Sequence, residues 1–126
     1  MRHWTIATLI LISLVSPGLA SAIRVVDGDT VVIDRETIRI LNIDTPEIRD
    51  AKCDAERRLG LIAKRRLSEL LAGGSIDIRR GDGNRMTDRY GRTLAVISVR
   101  GSDVGEKLIA DGLARPWKGK RQPWCQ

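Results

Sequence analysis

The chain has no phenylalanine, and aromatic residues make up only 3% of its 126 positions. A row of stacking rings is therefore excluded as its main binding device. Histidine occurs once, at His3, inside a segment that reads as a removable leader. The mature chain is thus expected to lack any histidine base or ligand. That excludes serine-histidine triads, paired-histidine zinc sites and other hydrolytic metal sites built on imidazole. There are two cysteines, Cys53 and Cys125, and without a histidine they cannot make a structural zinc site. Nothing around them suggests a thiol nucleophile. A Walker-type phosphate loop is missing, as are internal repeats, low-complexity tracts and an interdomain linker.

What is present begins with charge. The net charge is +6 and the pI about 10.0, which favours a polyanionic partner; a merely soluble basic protein fits these values equally well. At this length one domain with a self-sufficient core is expected. Residues 1–22 have the layout of a secretory signal peptide. Arg2 and His3 form a short basic start, Trp4 to Val15 is an apolar run of twelve residues, Ser16-Pro17-Gly18 breaks it, and Ala20-Ser21-Ala22 supplies small residues for cleavage. The run is too short for a comfortable membrane span. The expected location is periplasmic or secreted, with an uncleaved N-terminal membrane anchor as the alternative. In an exported chain the two cysteines read as a disulfide, Cys53–Cys125, tying the C-terminal tail to the start of the main helix.

Residues 23–126 read as one domain. Ile23 to Val26 is a short strand ending at Asp27-Gly28, where the glycine is expected to take a positive φ. Thr30 to Ile33 and Thr37 to Ile43 follow as β-branched strands around a tight turn at Asp34-Arg35-Glu36. From Asp54 to Leu71, Leu59, Ile62, Ala63, Leu67, Leu70 and Leu71 recur at helical spacing and predict one apolar face. Arg57, Arg58, Lys64, Arg65 and Arg66 make the solvated one. Gly73-Gly74 ends the helix, Ser75 to Arg79 and Arg92 to Val99 are further strands, and Ser102 is expected to cap a second helix that Gly112 terminates. Arg80-Gly81-Asp82 reads as a turn rather than as an adhesion motif. The order predicts a mainly β (α+β) fold, a five-stranded Greek-key barrel of the OB type with two helices; an open sheet is also compatible with it.

Six residues from three separate stretches could together serve one chemistry: Asp29, then Arg39, Asp44, Thr45 and Glu47, then Arg92. Carboxylates suit a hard cation, and guanidinium groups suit a phosphate and its developing charge. The combination is what metal-assisted phosphodiester hydrolysis requires. Singly, each is weak: Asp29 sits in a turn signal, and Asp44-Thr45-Pro46-Glu47 in isolation reads more readily as a loop with a helix-capping carboxylate. Arg39 is more unusual, because it lies between Ile38 and Ile40 in an apolar strand and needs a partner there. Arg39 and Asp44 are an odd number of positions apart, so a regular strand would send them to opposite faces. They can share a site only if the strand ends or bulges near Asn42. Pro46 favours an extended Thr45, whose carbonyl could then face a cation.

Asp27-Gly28-Asp29-Thr30, Arg39 with Asp44-Thr45-Pro46-Glu47, and Asp88-Arg89-Tyr90-Gly91-Arg92 resemble the staphylococcal nuclease (thermonuclease) family, in family order, from about Val25 to Ala114. The resemblance implies an OB-fold enzyme that uses Ca²⁺ to hydrolyse DNA and RNA, single strands favoured, leaving 3′-phosphate ends. It implies Asp29 and Asp44 as carboxylate ligands and Thr45 as a carbonyl ligand. Glu47 matches the residue that positions or deprotonates water, Arg39 and Arg92 the phosphate-binding pair, and Tyr90 a residue beside the nucleotide. Three departures stand out. The opening strand is short, so barrel closure is expected to be weak there unless the leader is cut earlier, after Ala20. In place of two tyrosines after the second helix stands Ala114-Arg115-Pro116-Trp117-Lys118, which makes Trp117 the substitute and Lys118 a phosphate contact. The tail leaves no room for a third helix, and Trp124 with the disulfide is expected to replace its packing. A monomer without a stable protein partner is expected. The rival expectation is a non-catalytic nucleic-acid-binding OB module, which would not need the full set Asp29, Arg39, Asp44, Glu47 and Arg92.

Overall fold

The structure, a computed structural model, describes Met1, residues 10–14 and residues 22–126. The predicted leader falls largely outside the described residues. No helix among the described residues is long and apolar enough to cross a membrane.

Strands β1 (Ile23–Asp27), β2 (Thr30–Ile33) and β3 (Glu36–Ile40) form an antiparallel meander. The β2–β3 turn places Asp34 and Arg35 at φ 48° and 72°, which matches the right-handed twist of a two-residue hairpin. After β4 (Ile43–Asp44) and helix α1 (Asp54–Leu71) come β5 (Ile76–Arg80) and β6 (Thr93–Val99). β6 runs parallel to β3 and antiparallel to β5, giving the order β1-β2-β3-β6-β5. Two-residue β7 (Ser102–Asp103) adds to β6, helix α2 (Val104–Ala110) follows, and β8 (Arg115–Pro116) pairs with β4. This is the OB-type connection, a meander whose third strand is joined in parallel by β6. No β1–β5 ladder occurs among the described residues. β1 and β5 are thus the two ends of the hydrogen-bonded strand order.

The core lies between the sheet's inner face and the two helices. Val31, Ile38, Ile40 and Ile97 alternate inward from the strands and meet Ala63, Leu67 and Leu71 of α1 and Val104 and Leu108 of α2. Each fully buried aliphatic side chain contributes about 1.5–3 kcal/mol of transfer free energy, so this layer fixes the frame on which the rim residues stand.

Several sequence expectations need correction. Ile62 is 48% exposed; the buried stripe of α1 runs through Gly60, Ala63, Leu67 and Leu71, and Ile62 lies too far around the helix to join it. Asp103 rather than Ser102 caps α2, its carboxylate accepting from the Gly105 and Glu106 amides, because β7 runs through Asp103 and the helix begins only at Val104. Gly28 is not a positive-φ residue. Its lack of a side chain serves close approach instead, since a Cβ there would lie 2.9 Å from the Ala63 Cβ and 3.0 Å from Thr45. Strand β3 stops at Ile40, and Asn42 takes φ 69°, so the expected strand through Ile43 is two pieces.

Candidate active site

The break at Asn42 decides the geometry. Ile38 and Ile40 point into the core, which sends Arg39 to the opposite face. Its guanidinium then folds along the rim, donating to the Ile40 carbonyl and, at 3.0 Å, to the Ile43 carbonyl. It also meets Asp29 Oδ2 at 3.3 Å. The kink at Asn42 turns the chain so that β4 can pair with β8 and bury both Asp44 and Thr45. Arg39 and the Asp44–Thr45 pair thereby come to the same rim despite their odd spacing.

Asp29 joins the three motif blocks. Its Oδ1 accepts from the Thr30 hydroxyl at 3.1 Å and its Oδ2 from the Thr45 amide at 3.4 Å. Arg92 reaches the same cluster through Nη1, which donates to the Thr30 hydroxyl at 3.4 Å. Arg92 is itself held by Asp88, which accepts from its Nε at 2.6 Å and from its backbone amide at 3.0 Å. Burial pushes the Asp88 carboxyl up, but the bonds and charge of Arg92 outweigh it and leave the group below the ordinary range. The sequence Asp88-Arg89-Tyr90-Gly91-Arg92 is thus a turn built to aim one guanidinium. Gly91 supplies the φ of 80° it requires.

The cluster is short of positive charge. Burial, and then repulsion from Asp29, raises the Asp27 carboxyl to about 7. Burial also raises Asp44, and Arg121 at 3.7 Å only partly offsets it. Among the described residues no group of three or more Asp, Glu, His or Cys side chains stands close enough to hold a metal alone. Arg121 lies between Asp44 and Glu47 and pairs with both. The donor set is nonetheless all oxygen: two buried aspartates, of which one pairs with Arg39, and the Thr45 carbonyl. That chemistry fits a hard cation such as Ca²⁺, with the carbonyl and waters filling its shell.

Tyr90 is 68% exposed, with the Arg89 and Arg92 guanidinium groups over its ring at 4.8 and 5.3 Å. Trp117 follows β8, its amide donating to the Asn42 carbonyl at 2.9 Å, and its ring is exposed, as is Lys118. All three stand at the surface, Tyr90 beside Arg92 and Trp117 beside the Asn42 kink. The Cys53–Cys125 disulfide is formed, and Trp124 Nε1 donates to Asp44 Oδ2 at 3.2 Å.

Glu56, Arg121, Asp27 and Asp88 were not singled out from the sequence. Glu56 is buried and accepts from the Glu47 amide at 3.0 Å and the Lys52 amide at 2.9 Å. Burial pushes its carboxyl up, yet those two bonds, helped by Arg121, hold it below the usual value. Its signal was legible as Cys53-x-x-Glu56 at the start of a helix, a capping spacing. Asp88 had a comparable signal, an aspartate opening a turn with glycine three positions on.

The profile of the family described as staphylococcal nuclease homologue matches residues 37–124. The chain belongs to that family. Among its relatives, Endonuclease YncB of Bacillus subtilis (strain 168) is 36% identical over 96 residues, covering 73% of this chain and 44% of the relative. The SPbeta prophage-derived endonuclease YokF of the same organism is 38% identical over 96 residues, covering 73% and 32%. The thermonuclease of Staphylococcus hyicus is 32% identical over 114 residues, covering 79% and 64%. The chain therefore spans less than two thirds of the length of each of these relatives. This staphylococcal nuclease homologue has its three motif blocks on one rim of the OB barrel.

Proposed function

We propose that the protein is an endonuclease that hydrolyses DNA and RNA phosphodiesters with Ca²⁺, leaving 3′-phosphate ends. One observation carries the reading: Asp29 is bonded at once to Arg39 and to the Thr45 amide, and through Thr30 to Arg92. A binding module needs basic surface but has no use for two guanidinium groups converging on buried carboxylates. The names of the relatives agree with a nuclease.

Asp29, Asp44 and the Thr45 carbonyl would hold the cation, which when bound polarises a phosphoryl oxygen and offsets charge. The protein's own groups do the rest. Arg39 and Arg92 grip the phosphate oxygens as permanently charged forks, and they stabilise the negative charge that builds during in-line attack. Glu47 orients the attacking water and accepts its proton. The Glu56 carboxylate holds the Glu47 amide, which sets where that base stands. Tyr90, Trp117 and Lys118 form the surface along which the polynucleotide lies, single strands being favoured. Residues 1–22 act as an export leader, placing the domain of residues 23–126 in the periplasm or outside the cell as a monomer.

Digestion of single-stranded DNA, plasmid and RNA with Ca²⁺ and with chelator tests the reading. Cleavage that needs Ca²⁺ and yields ends sensitive to a 3′-phosphatase is expected. Binding without cleavage in either condition would make the protein the non-catalytic OB module, and cleavage undiminished by chelator would refute the metal.

A further inference from the structure

Arg121 enters the carboxylate cluster from a segment outside the three motif blocks. Its Nη2 lies 3.4 Å from the Thr45 carbonyl oxygen, 3.7 Å from Asp44 Oδ1 and 3.6 Å from Glu56 Oε2. Its Nη1 donates to Glu47 Oε1. One guanidinium thus engages oxygens assigned above to the cation and to the attacking water. The positive charge on Nη2 sits where the Thr45 carbonyl and the Asp44 carboxylate converge. Burial pulls the Arg121 guanidinium down, but the charges of Asp44, Glu47 and Glu56 and the Glu47 hydrogen bond outweigh it and hold the group above its ordinary pKa.

The tail carrying Arg121 is fastened at several points. Cys125 is bonded to Cys53 at the start of α1. One position before Cys125, Trp124 donates to Asp44 Oδ2. Arg115 stacks 3.7 Å over the Trp124 ring and donates to the Gln122 and Pro123 carbonyls. An untethered arginine would be a weak competitor for such a site, since half-exposed ion pairs are worth little. A tether converts it into an intramolecular one with a high local concentration.

We propose that Arg121 is a built-in competitor for the divalent-cation site, held in place by the Cys53–Cys125 bond, so that the tail sets how much cation the enzyme needs. This rests on the assignment of Asp44, Thr45 and Glu47 made under the proposed function. A guanidinium and a divalent cation repel, and they cannot take the Thr45 carbonyl and the Asp44 carboxylate together. Cation binding therefore requires Arg121 to withdraw, and apparent affinity falls by the fraction of molecules in which it has done so. Reduction of the disulfide by a dithiol, which transfers two electrons and two protons to give two thiols and the dithiol's own disulfide, lengthens the tether and weakens the competitor.

The test is calorimetric titration of Ca²⁺ into the oxidised full chain, into the dithiol-reduced chain and into Arg121→Gln, each without substrate. Arg121→Gln keeps the tail and its bond while removing the charge, and the reduced wild type gives the same comparison without a substitution. Both are expected to bind Ca²⁺ about five- to tenfold more tightly than the oxidised wild type. Trp124 fluorescence, next to Asp44, should change at correspondingly lower Ca²⁺. Equal affinity in all three overturns the competitor and leaves the cation assignment standing. Lower turnover of Arg121→Gln at unchanged Ca²⁺ affinity overturns it too, because Arg121 would then serve the phosphate. Absence of Ca²⁺ binding in every sample refutes the cation assignment itself, and the competitor with it.

Discussion

Gly60 of α1 faces the loop that carries Glu47, and replacing it with alanine should injure activity more than stability. A Cβ at Gly60 would lie 2.8 Å from the Glu47 carbonyl oxygen, 2.9 Å from that of Pro46 and 3.0 Å from Ile48 Cγ1. Carbon contacts are ordinarily relaxed at about 3.5 Å, so helix and loop must part by about half an ångström. Two of the three obstacles are backbone, which cannot swing away as a side chain can. Overpacking of this kind costs about 1–3 kcal/mol. Alanine recovers about 0.5–1 kcal/mol of helix preference over glycine. A net loss of about 1 kcal/mol follows, or a Tm drop of about 4–8 °C in a domain this size. Glu47 moves with its backbone, and misplacing a catalytic group on that scale should lower kcat about ten- to hundredfold. The control is Ile97→Val, a core change of about 0.5–1.5 kcal/mol in a fully buried β6 residue whose ladder partner is Ile78 of β5. Thermal melts and single-stranded DNA cleavage would be measured on both variants. If Gly60→Ala turns over as fast as Ile97→Val at equal folded fraction, the close packing of α1 against the loop does not position Glu47.

Arg39→Ala should lower turnover by about 10²–10³. It should also cost about 3 kcal/mol of stability by leaving the buried Asp29 without its counter-charge, so urea melts and cleavage must be read together; a stable but inactive variant would contradict the Arg39–Asp29 pairing. Cys53→Ser/Cys125→Ser opens a bond that closes 72 positions, and it should lose about 4 kcal/mol in the chain-entropy picture, measured by guanidinium unfolding against the oxidised wild type. The Glu36 carboxyl is lowered to about 2, chiefly by the Arg80 side chain and then by Thr93. Its stabilising share is thus complete above the ordinary value of 4.5 and is lost as pH falls towards 2. Glu36→Gln should flatten the acid limb of a Tm-against-pH series between those values, and an unchanged slope would rule the Glu36–Arg80–Thr93 link out as an acid-sensitive tie.

Much of the site could be read from residue order because its chemistry is local to short stretches. Arg39 inside an apolar strand, the parity conflict with Asp44, and the required break near Asn42 were all legible, and Asn42 indeed takes the left-handed conformation. The misread positions have physical reasons. Ile62 is apolar at helical spacing, but spacing marks a stripe and only packing chooses its centre. Gly28 carries a turn signal, yet what excludes a side chain is Ala63, which arrives from α1. Ser102 and Asp103 are both residues that cap helices, and the choice fell to Asp103 because α2 begins only at Val104, after β7 has ended.

By itself, the order of residues determined the α+β OB pattern, the three blocks of carboxylates and guanidiniums, and the pairing of Cys53 with Cys125. Those are matters of local conformational preference, of charge, and of there being just two thiols to join. Tertiary structure alone decided that Asp29 links all three blocks, that Glu56 holds the Glu47 loop, and that Arg121 lies among the oxygens where a cation would bind. Each of these depends on segments far apart in the chain, and which of many charged groups become neighbours is settled only when the strands close and the disulfide draws the tail across the rim.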